Sequence, residues 1–337
     1  MPGTWTSYGS FSTVKRATTD AVQGDLGMSE DGQPDHGAGR AAAVVPPIDA
    51  ALVRRLIAGQ FPEWARLPVR PVDFGGNDNR TFHLGDRMTV RLPSAPGYAA
   101  QVDKEQQWLP VLAPHLPLPV PAPIAKGLPA EGYPFNWSVI RWIEGQPAGV
   151  GRIDDVTEFA VALAEFLLAL QRADTAGGPA AGAHSAYRGA SLKIYDAETR
   201  RAIEELGSRI PGDVATAVWE TALQATWQGP PVWFHGDVAV GNLLVRNGQL
   251  AAVIDFGCSG FGDPACDMTI AWTLLSGESR RAFRETLGVD PATWARGRGW
   301  TLWKALIVLA DPGSAHAAWA QRSLDNVLDE FEQGTGS

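Results

Sequence analysis

Apolar positions along the chain change their spacing once, and the change divides it. Up to about Ile143 they come in short bursts of strand-like length; after Gly151 they come in long stripes three and four residues apart. The first spacing belongs to strands and the second to helices with one buried face. An opening helix is marked by Leu52, Leu56, Ile57 and Phe61. Strand-like pieces follow: "VRPVDF" ending at Gly75-Gly76, then "NRTFHLG" and "RMTVRLP" joined at Gly85-Asp86, and later "FNWSVIRWI" closed by Glu144-Gly145. Between them, "AAQVDKEQQWLPVLAPHL" predicts a helix that Pro110 or Pro114 interrupts or ends. The proline-rich "PLPVPAPIAKGLPAEGYP" predicts extended chain and turns.

Beyond Gly151, "DDVTEFAVALAEFLLALQRA", "YDAETRRAIEELG" and "DVATAVWETALQATW" each predict a helix, the first with an acidic cap region. A block of three short strands interrupts at 232–255, and four more helical stretches begin near Asp263, Ser279, Pro291 and Ala315. The order predicts an α+β fold of two lobes: a small strand-rich lobe over 46–143 and a larger helical lobe over 144–333. Residues 1–45, rich in Gly, Ser, Thr and Asp without a sustained period, read as a disordered tail. Met28 lies within it as an alternative start. There is no internal repeat.

With 337 residues, 45% of them hydrophobic, the chain can bury two cores. A net charge of −9 argues against a nucleic-acid partner, which requires basic stripes, and suits a small-molecule partner, a cationic one included. No apolar run is long enough to span a bilayer, and no basic stretch followed by an apolar core opens the chain. Two cysteines, Cys258 and Cys266, provide no disulfide framework. These features point to the cytoplasm.

The densest chemistry lies in "WFHGDVAVGNLLVRNGQLAAVIDFGCSGFGDPACD" (233–267). Asp237 follows a strand and a turn at Gly236. Asn247-Gly248 is a strong two-residue hairpin signal. That hairpin brings Asn242, before its first strand, beside Asp255, after its second, with Asp237 one short loop away. Two carboxylates and an amide oxygen without a cation next to them in sequence form a partial set of hard ligands suited to Mg²⁺. Taken singly, each of these residues is an ordinary turn former. A transition-metal hydrolase using His235 and Asp237 is a second reading, although none of the other five histidines has a similar setting.

The ordered set His-Gly-Asp, Asn five residues on, Ile-Asp-Phe-Gly, Gly-Asp-Pro and a further Asp resembles the aminoglycoside phosphotransferase family, over roughly 48–333. The resemblance implies a protein-kinase-like fold and transfer of a nucleotide γ-phosphate from ATP or GTP to a hydroxyl. It implies that Asp237 accepts or orients the hydroxyl proton, that Asn242 and Asp255 bind Mg²⁺, that His235 holds the catalytic loop and that Asp267 supports it. In the strand-rich lobe it implies that Gly75 and Gly76 cover phosphates, a tight hairpin turn being the equal alternative, and that Arg91, in place of the lysine of protein kinases, pairs with Glu105. A surface ion pair is the other reading of those two. Lys104 is expected to face away from that pair. "SVIRWIEG" matches the linker, with Ile140 near the gatekeeper place and backbone groups of Trp142 and Ile143 toward an adenine.

The implied function is small-molecule O-phosphotransfer to an aminoglycoside or related antibiotic. A metabolite kinase acting on a choline-, homoserine- or sugar-like alcohol is one alternative, and a nucleotide-binding regulator without turnover is another. Oligomeric state is not encoded in these patterns. For a cationic acceptor, Glu165, Glu278, Asp325, Asp329 and Glu330 are candidate carboxylates, with a solvated acidic helix face the favoured reading; Trp294, Trp300 and Trp303 are candidate sugar-stacking rings that more readily fit a helix core.

Overall fold

The computed structural model describes residues 46–73, 75–76, 78–173 and 177–335. The expected disordered tail, 1–45, lies outside the described residues.

An opening helix, α1 (Ala50–Gln60), is capped by Asp49, whose side chain accepts from the Leu52 amide at 2.8 Å. It buries Leu52, Val53, Leu56 and Ile57. Five strands follow: β1 (Val69–Pro71), β2 (Asn79–Leu84), β3 (Met88–Pro93), β4 (Pro123–Gly127) and β5 (Trp137–Arg141). They form one antiparallel sheet in the order β1-β2-β3-β5-β4. Phe82 pairs with Val90 and Val90 with Val139, so these side chains share the face that joins the α1 core. The same register puts Thr81, Arg91 and Ser138 on the opposite face.

Helix α2 (Pro96–Leu112) lies between β3 and β4. Pro110 does not end it. The proline sits in the last turn, where its missing N–H removes a single bond, and the chain continues as a 3-10 turn over Ala113–His115. Gln106 ties α2 to the sheet, donating to the Ala125 carbonyl and the Ser138 hydroxyl at 3.1 Å each.

After β5 the chain crosses directly into a second sheet. Strand β6 (Gln146–Pro147) pairs with β8 (Leu243–Arg246), which pairs with β9 (Gln249–Val253). The β8–β9 turn is the expected Asn247-Gly248 pair, with φ values of 54° and 79°. The third strand of the motif block, β7 (Val232–Phe234), stands apart from this hairpin. It pairs with β10 (Gly260–Gly262), a strand absent from the sequence reading because Gly-Phe-Gly carries no alternation.

Six long helices surround these ribbons: α3 (Val156–Arg172), α4 (Asp196–Leu206), α5 (Gly212–Gln224), α6 (Gly277–Leu287), α7 (Pro291–Ala310) and α8 (Ala317–Thr335). Asp155 caps α3, accepting from Thr157 and Glu158 amides, and Asp290 caps α7. Most of α7 is buried, so its apolar residues show no single stripe. Trp294, Trp300 and Trp303 are 3%, 2% and 2% exposed and belong to this core.

A buried ion pair locks α7 to the motif block. Arg296 donates through Nε to Asp263 Oδ2 at 2.7 Å and through Nη2 to Oδ1 at 3.1 Å. Asp263 also caps the turn beginning at Pro264, accepting from the Ala265 amide. Breaking a buried pair leaves a desolvated charge, so Arg296→Met is expected to cost about 3–5 kcal/mol. Adding Asp263→Asn should return part of that loss. Urea denaturation of the single and double variants measures both.

Candidate active site

Strand β7 ends in a turn that places Asp237. Gly236 has φ 81°, and a Cβ there would stand 2.6 Å from the Cys258 carbonyl oxygen, which accounts for glycine at this position. The turn is held by Asp267, whose carboxylate accepts from the His235 amide at 2.8 Å and the Gly236 amide at 2.7 Å. Asp267 is fully buried; burial pushes its carboxyl up to about 7, while the two amides pull it the other way.

His235 links two loops through both ring nitrogens. Nε2 lies 3.0 Å from the Ile254 carbonyl, so it carries the proton, and Nδ1 accepts from the Asp237 amide at 3.2 Å. Burial lowers its pKa to about 4, and the ring stays neutral. With both nitrogens engaged it has none left to ligate a metal, which removes the ground for the transition-metal hydrolase.

Asp237 is 5% exposed. Its Oδ2 accepts from Asn242 Nδ2 at 2.9 Å, and the same amide nitrogen donates to the Asp237 carbonyl at 2.9 Å. Its Oδ1 is buried with no hydrogen-bond partner among the described residues. Burial pushes the carboxyl up to about 7, with Asp255 adding to the rise and Arg188 and Lys304 opposing it.

Asn242 spends its amide nitrogen on Asp237, which leaves its carbonyl oxygen as the acceptor. The Ile254 amide donates to the Asn242 main-chain carbonyl at 2.9 Å, closing the end of the β8–β9 hairpin immediately before Asp255. Asp255 adopts a left-handed conformation, φ 66°, which costs a non-glycine residue about 1–2 kcal/mol and recurs at functional sites. Its Oδ1 accepts from the Gly257 amide and faces Arg91, both at 3.4 Å. These oxygens fit a hard divalent cation completed by phosphate and water. Among the described residues, no cluster of three or more His, Cys, Asp or Glu side chains suited to a metal occurs.

Arg91 leaves the sheet on the face opposite α1 and lies 3.1 Å from Glu105 Oε2 on α2. The side chains are 12% and 7% exposed, so the pair is buried rather than a surface ion pair. Burial works against the Arg91 charge, and Glu105 and Asp255 outweigh it. Gly75 and Gly76 are exposed in the loop between β1 and β2. The Trp142 amide donates to the Arg87 carbonyl at 2.9 Å; Ile143 follows it in the linker, half-buried.

The candidate carboxylates lie largely on solvated helix faces. Glu165, Glu278, Asp325 and Asp329 are exposed, and Glu330 accepts from Trp294 Nε1 and Arg298. The groups acting on Asp237 include two buried basic side chains, Arg188 and Lys304. The Arg188 guanidinium stacks over Trp303 at 4.9 Å and Trp300 at 5.4 Å. Helical spacing placed these tryptophans on α7 but carried no signal for Arg188, which lies in irregular chain. Lys104, on the same helix as Glu105, reaches the carbonyls of Gly257 and Ser259, beside Asp255.

Turn, hairpin, paired loops and cation–glutamate bridge lie together on a bilobal kinase-like fold. The chain belongs to the phosphotransferase enzyme family, whose model matches residues 68–300. A search of curated proteins finds no match. Among solved structures, the chain is similar to APH(2'')-IIIa in complex with GDP and kanamycin, at 20% identity and TM-score 0.63, covering 84% of this chain and 98% of that one. It is similar to APH(2'')-IIa in a ternary complex with streptomycin and ATP, at 16% identity and TM-score 0.54, covering 85% and 97%. It is also similar to the macrolide 2'-phosphotransferase MphH from Brachybacterium faecium, at 20% identity and TM-score 0.51, covering 83% and 97%. These likenesses support the bilobal kinase-like fold. Neither cysteine forms a disulfide and both are buried, and no described helix is long and apolar enough to cross a membrane.

The His235 geometry predicts a pH-dependent stability difference. Its folded pKa, about 4, lies below the unfolded value near 6.5, so the native state resists protonation between them. The contribution is complete above about pH 6.5 and shrinks as pH falls toward 4. His235→Asn should therefore lose most stability at pH 8, with the gap to the parent narrowing by pH 5. Urea midpoints at the two pH values check the sign; a gap that widens on acidification contradicts it.

Proposed function

We propose that this protein is a Mg²⁺-dependent O-phosphotransferase that moves the γ-phosphate of a nucleoside triphosphate to a hydroxyl of a small antibiotic. The observation that carries the reading is Asp237 Oδ1, a buried carboxylate oxygen without a donor beside an Oδ2 already fixed by Asn242. A buried unsatisfied acceptor costs about 1–3 kcal/mol, and an acceptor hydroxyl would satisfy it. In the proposed reaction that hydroxyl donates to Oδ1 and its oxygen attacks the γ-phosphorus. The bond from phosphorus to the β–γ bridging oxygen breaks, and the proton passes to Asp237.

Asn242 and Asp255 are assigned to Mg²⁺, which when bound neutralises phosphate charge. Arg91, held by Glu105, is assigned to the phosphates, and the amides of Gly75 and Gly76 to covering them. The linker at Ile143 is assigned to the nucleobase; Trp142, its amide already given to Arg87, contributes its position beside Ile143. His235 and Asp267 are assigned to holding the loop. ATP and GTP are both carried as co-substrates, and a cytoplasmic setting remains part of the proposal.

A second reading of the acceptor follows from Arg188 and Lys304. Two buried basic groups act on Asp237, Arg188 and a Lys304 whose pKa burial lowers to about 7; they oppose a polycationic scaffold and favour an acceptor with few positive charges, such as a macrolide or a neutral alcohol. The deciding experiment measures ATP and GTP turnover with Mg²⁺ across aminoglycosides, macrolides and small metabolic alcohols, with product mass. Phosphorylation of one class identifies the acceptor. Nucleotide binding without turnover on any of them supports a regulator.

Asp237→Ala should lower kcat by about 10²- to 10⁴-fold with nucleotide affinity retained. Full activity in that variant would falsify the assignment. Since Asp237 acts ionised and burial raises its pKa toward 7, activity should fall on acidification along a limb well above the ordinary carboxylate range near 4. A pH–rate profile flat down to pH 5 contradicts this. Asp255→Ala should weaken Mg²⁺-nucleotide binding, read by calorimetry with and without the metal; equal metal dependence in both proteins rules out its role.

A further inference from the structure

Helix α2 directs two adjacent side chains at the segment following Asp255. Glu105 acts through Arg91, whose Nη2 lies 3.4 Å from Asp255 Oδ1. Lys104 acts directly. Its ammonium donates to the Gly257 carbonyl at 2.7 Å and the Ser259 carbonyl at 2.9 Å, and lies 3.1 Å from His184 Nδ1. The other ring nitrogen of His184 lies 2.7 Å from the Ala180 carbonyl, so the proton sits there and Nδ1 is the acceptor facing Lys104. One cation on α2 thus gathers two carbonyls of the loop after Asp255 and a ring from the 3-10 turn at Ala183–Ser185.

The same helix face makes a second contact with this loop. Gln101, three residues before Lys104, packs on Gly257 so closely that a Cβ there would stand 2.8 Å from Gln101 Cδ. Glycine at 257 therefore permits α2 to approach, and Lys104 fastens it. A lysine suits this junction because its three donors point to acceptors in different directions, which the planar guanidinium fork of arginine does not match.

We propose that Lys104 is a positioning residue for phosphoryl transfer. It fixes the Asp255–Ser259 loop in its metal-receiving conformation and makes that conformation depend on the position of α2. The second half of the proposal rests on the assignment of Asp255 to the metal.

The test uses Lys104→Met in the full chain, which keeps the stem and removes the donors. Hydrogen exchange in the metal-free protein should speed up by about tenfold at the amides of 255–259, with protection in β7 and α7 unchanged. Calorimetry should give nucleotide affinity within about twofold of the parent without Mg²⁺, and a Mg²⁺-dependent gain in affinity reduced by about tenfold. Turnover should show a lower kcat with acceptor KM nearly unchanged. Unaltered exchange at 255–259 overturns the proposal, as does a uniform loss of protection across the molecule, which marks a general stability role. If Lys104→Met does not fold, Lys104→Gln, which retains an N–H donor, provides the same readouts in milder form. A parent protein whose nucleotide binding ignores Mg²⁺ removes the metal reading of Asp255 itself, and the exchange measurement then decides whether Lys104 clamps the loop.

Discussion

The Asp267 carboxylate holds the turn on which the rest of the site depends. By accepting the amides of His235 and Gly236 it fixes a tight turn with a left-handed glycine against the Cys258 carbonyl. The position of Asp237 follows from that turn. So does the direction of the His235 ring, which stands between the Asp237 amide and the Ile254 carbonyl. Asp267 therefore acts on two loops at once: the one bearing Asp237 and, through the imidazole, the one bearing Asp255. A carboxylate suits this task because it only accepts, and two convergent amides give it the charge-assisted bonds that partly offset its burial.

The same economy governs the other charges. Arg296 is matched with Asp263 and Arg91 with Glu105, each pair largely withdrawn from water. Such pairs add little net stability, since desolvation consumes most of the attraction, but they penalise any arrangement that separates them. Their value here is geometric: Arg296 sets α7 against the motif block, and Arg91 sets β3 against α2 while reaching Asp255. Asp237 Oδ1 departs from this economy, buried without a hydrogen-bond partner among the described residues. A native fold retains a cost of that kind where function requires it, and packing elsewhere offsets it.

The sequence was legible where chemistry and local geometry coincide. Asn247-Gly248 announces its hairpin because few other residues accept two left-handed positions, and the hairpin alone brings Asn242 beside Asp255. The change from short apolar bursts to three-and-four spacing separated the sheet from the helices for the same reason. Contacts between distant segments were not legible. Nothing in the spacing of Gly260-Phe261-Gly262 marks a strand, since its partner β7 supplies the apolar residues and glycine leaves room for the neighbouring segments. Arg188, in irregular chain, and Lys304, on a helix buried on nearly every side, carry no period that would relate them to Asp237. Helical direction puts Lys104 off the Arg91 side of its helix but does not reveal that the loop after Asp255 lies within its reach.

The placement of Lys104 and Glu105 links the strand-rich region to the helical region. Residues 104 and 105 diverge by about 100° around α2, so one helix addresses two targets. Glu105 turns to Arg91 and the sheet; Lys104 turns to the carbonyls after Asp255. A displacement of α2 relative to the helical region would strain both connections together, because neither side chain can follow one target without leaving the other. Since Arg91 itself touches Glu105 and Asp255, the contacts form a closed circuit: sheet, helix, loop and sheet again. In a closed circuit of buried charges, a shift at one member leaves another without its partner in a medium of low dielectric. The arrangement of β3, α2 and the Asp255 loop is therefore held as a unit, and the side-chain oxygens of Asn242 and Asp255, the pair proposed to hold Mg²⁺, gain their fixed relation from contacts made on both sides of the linker.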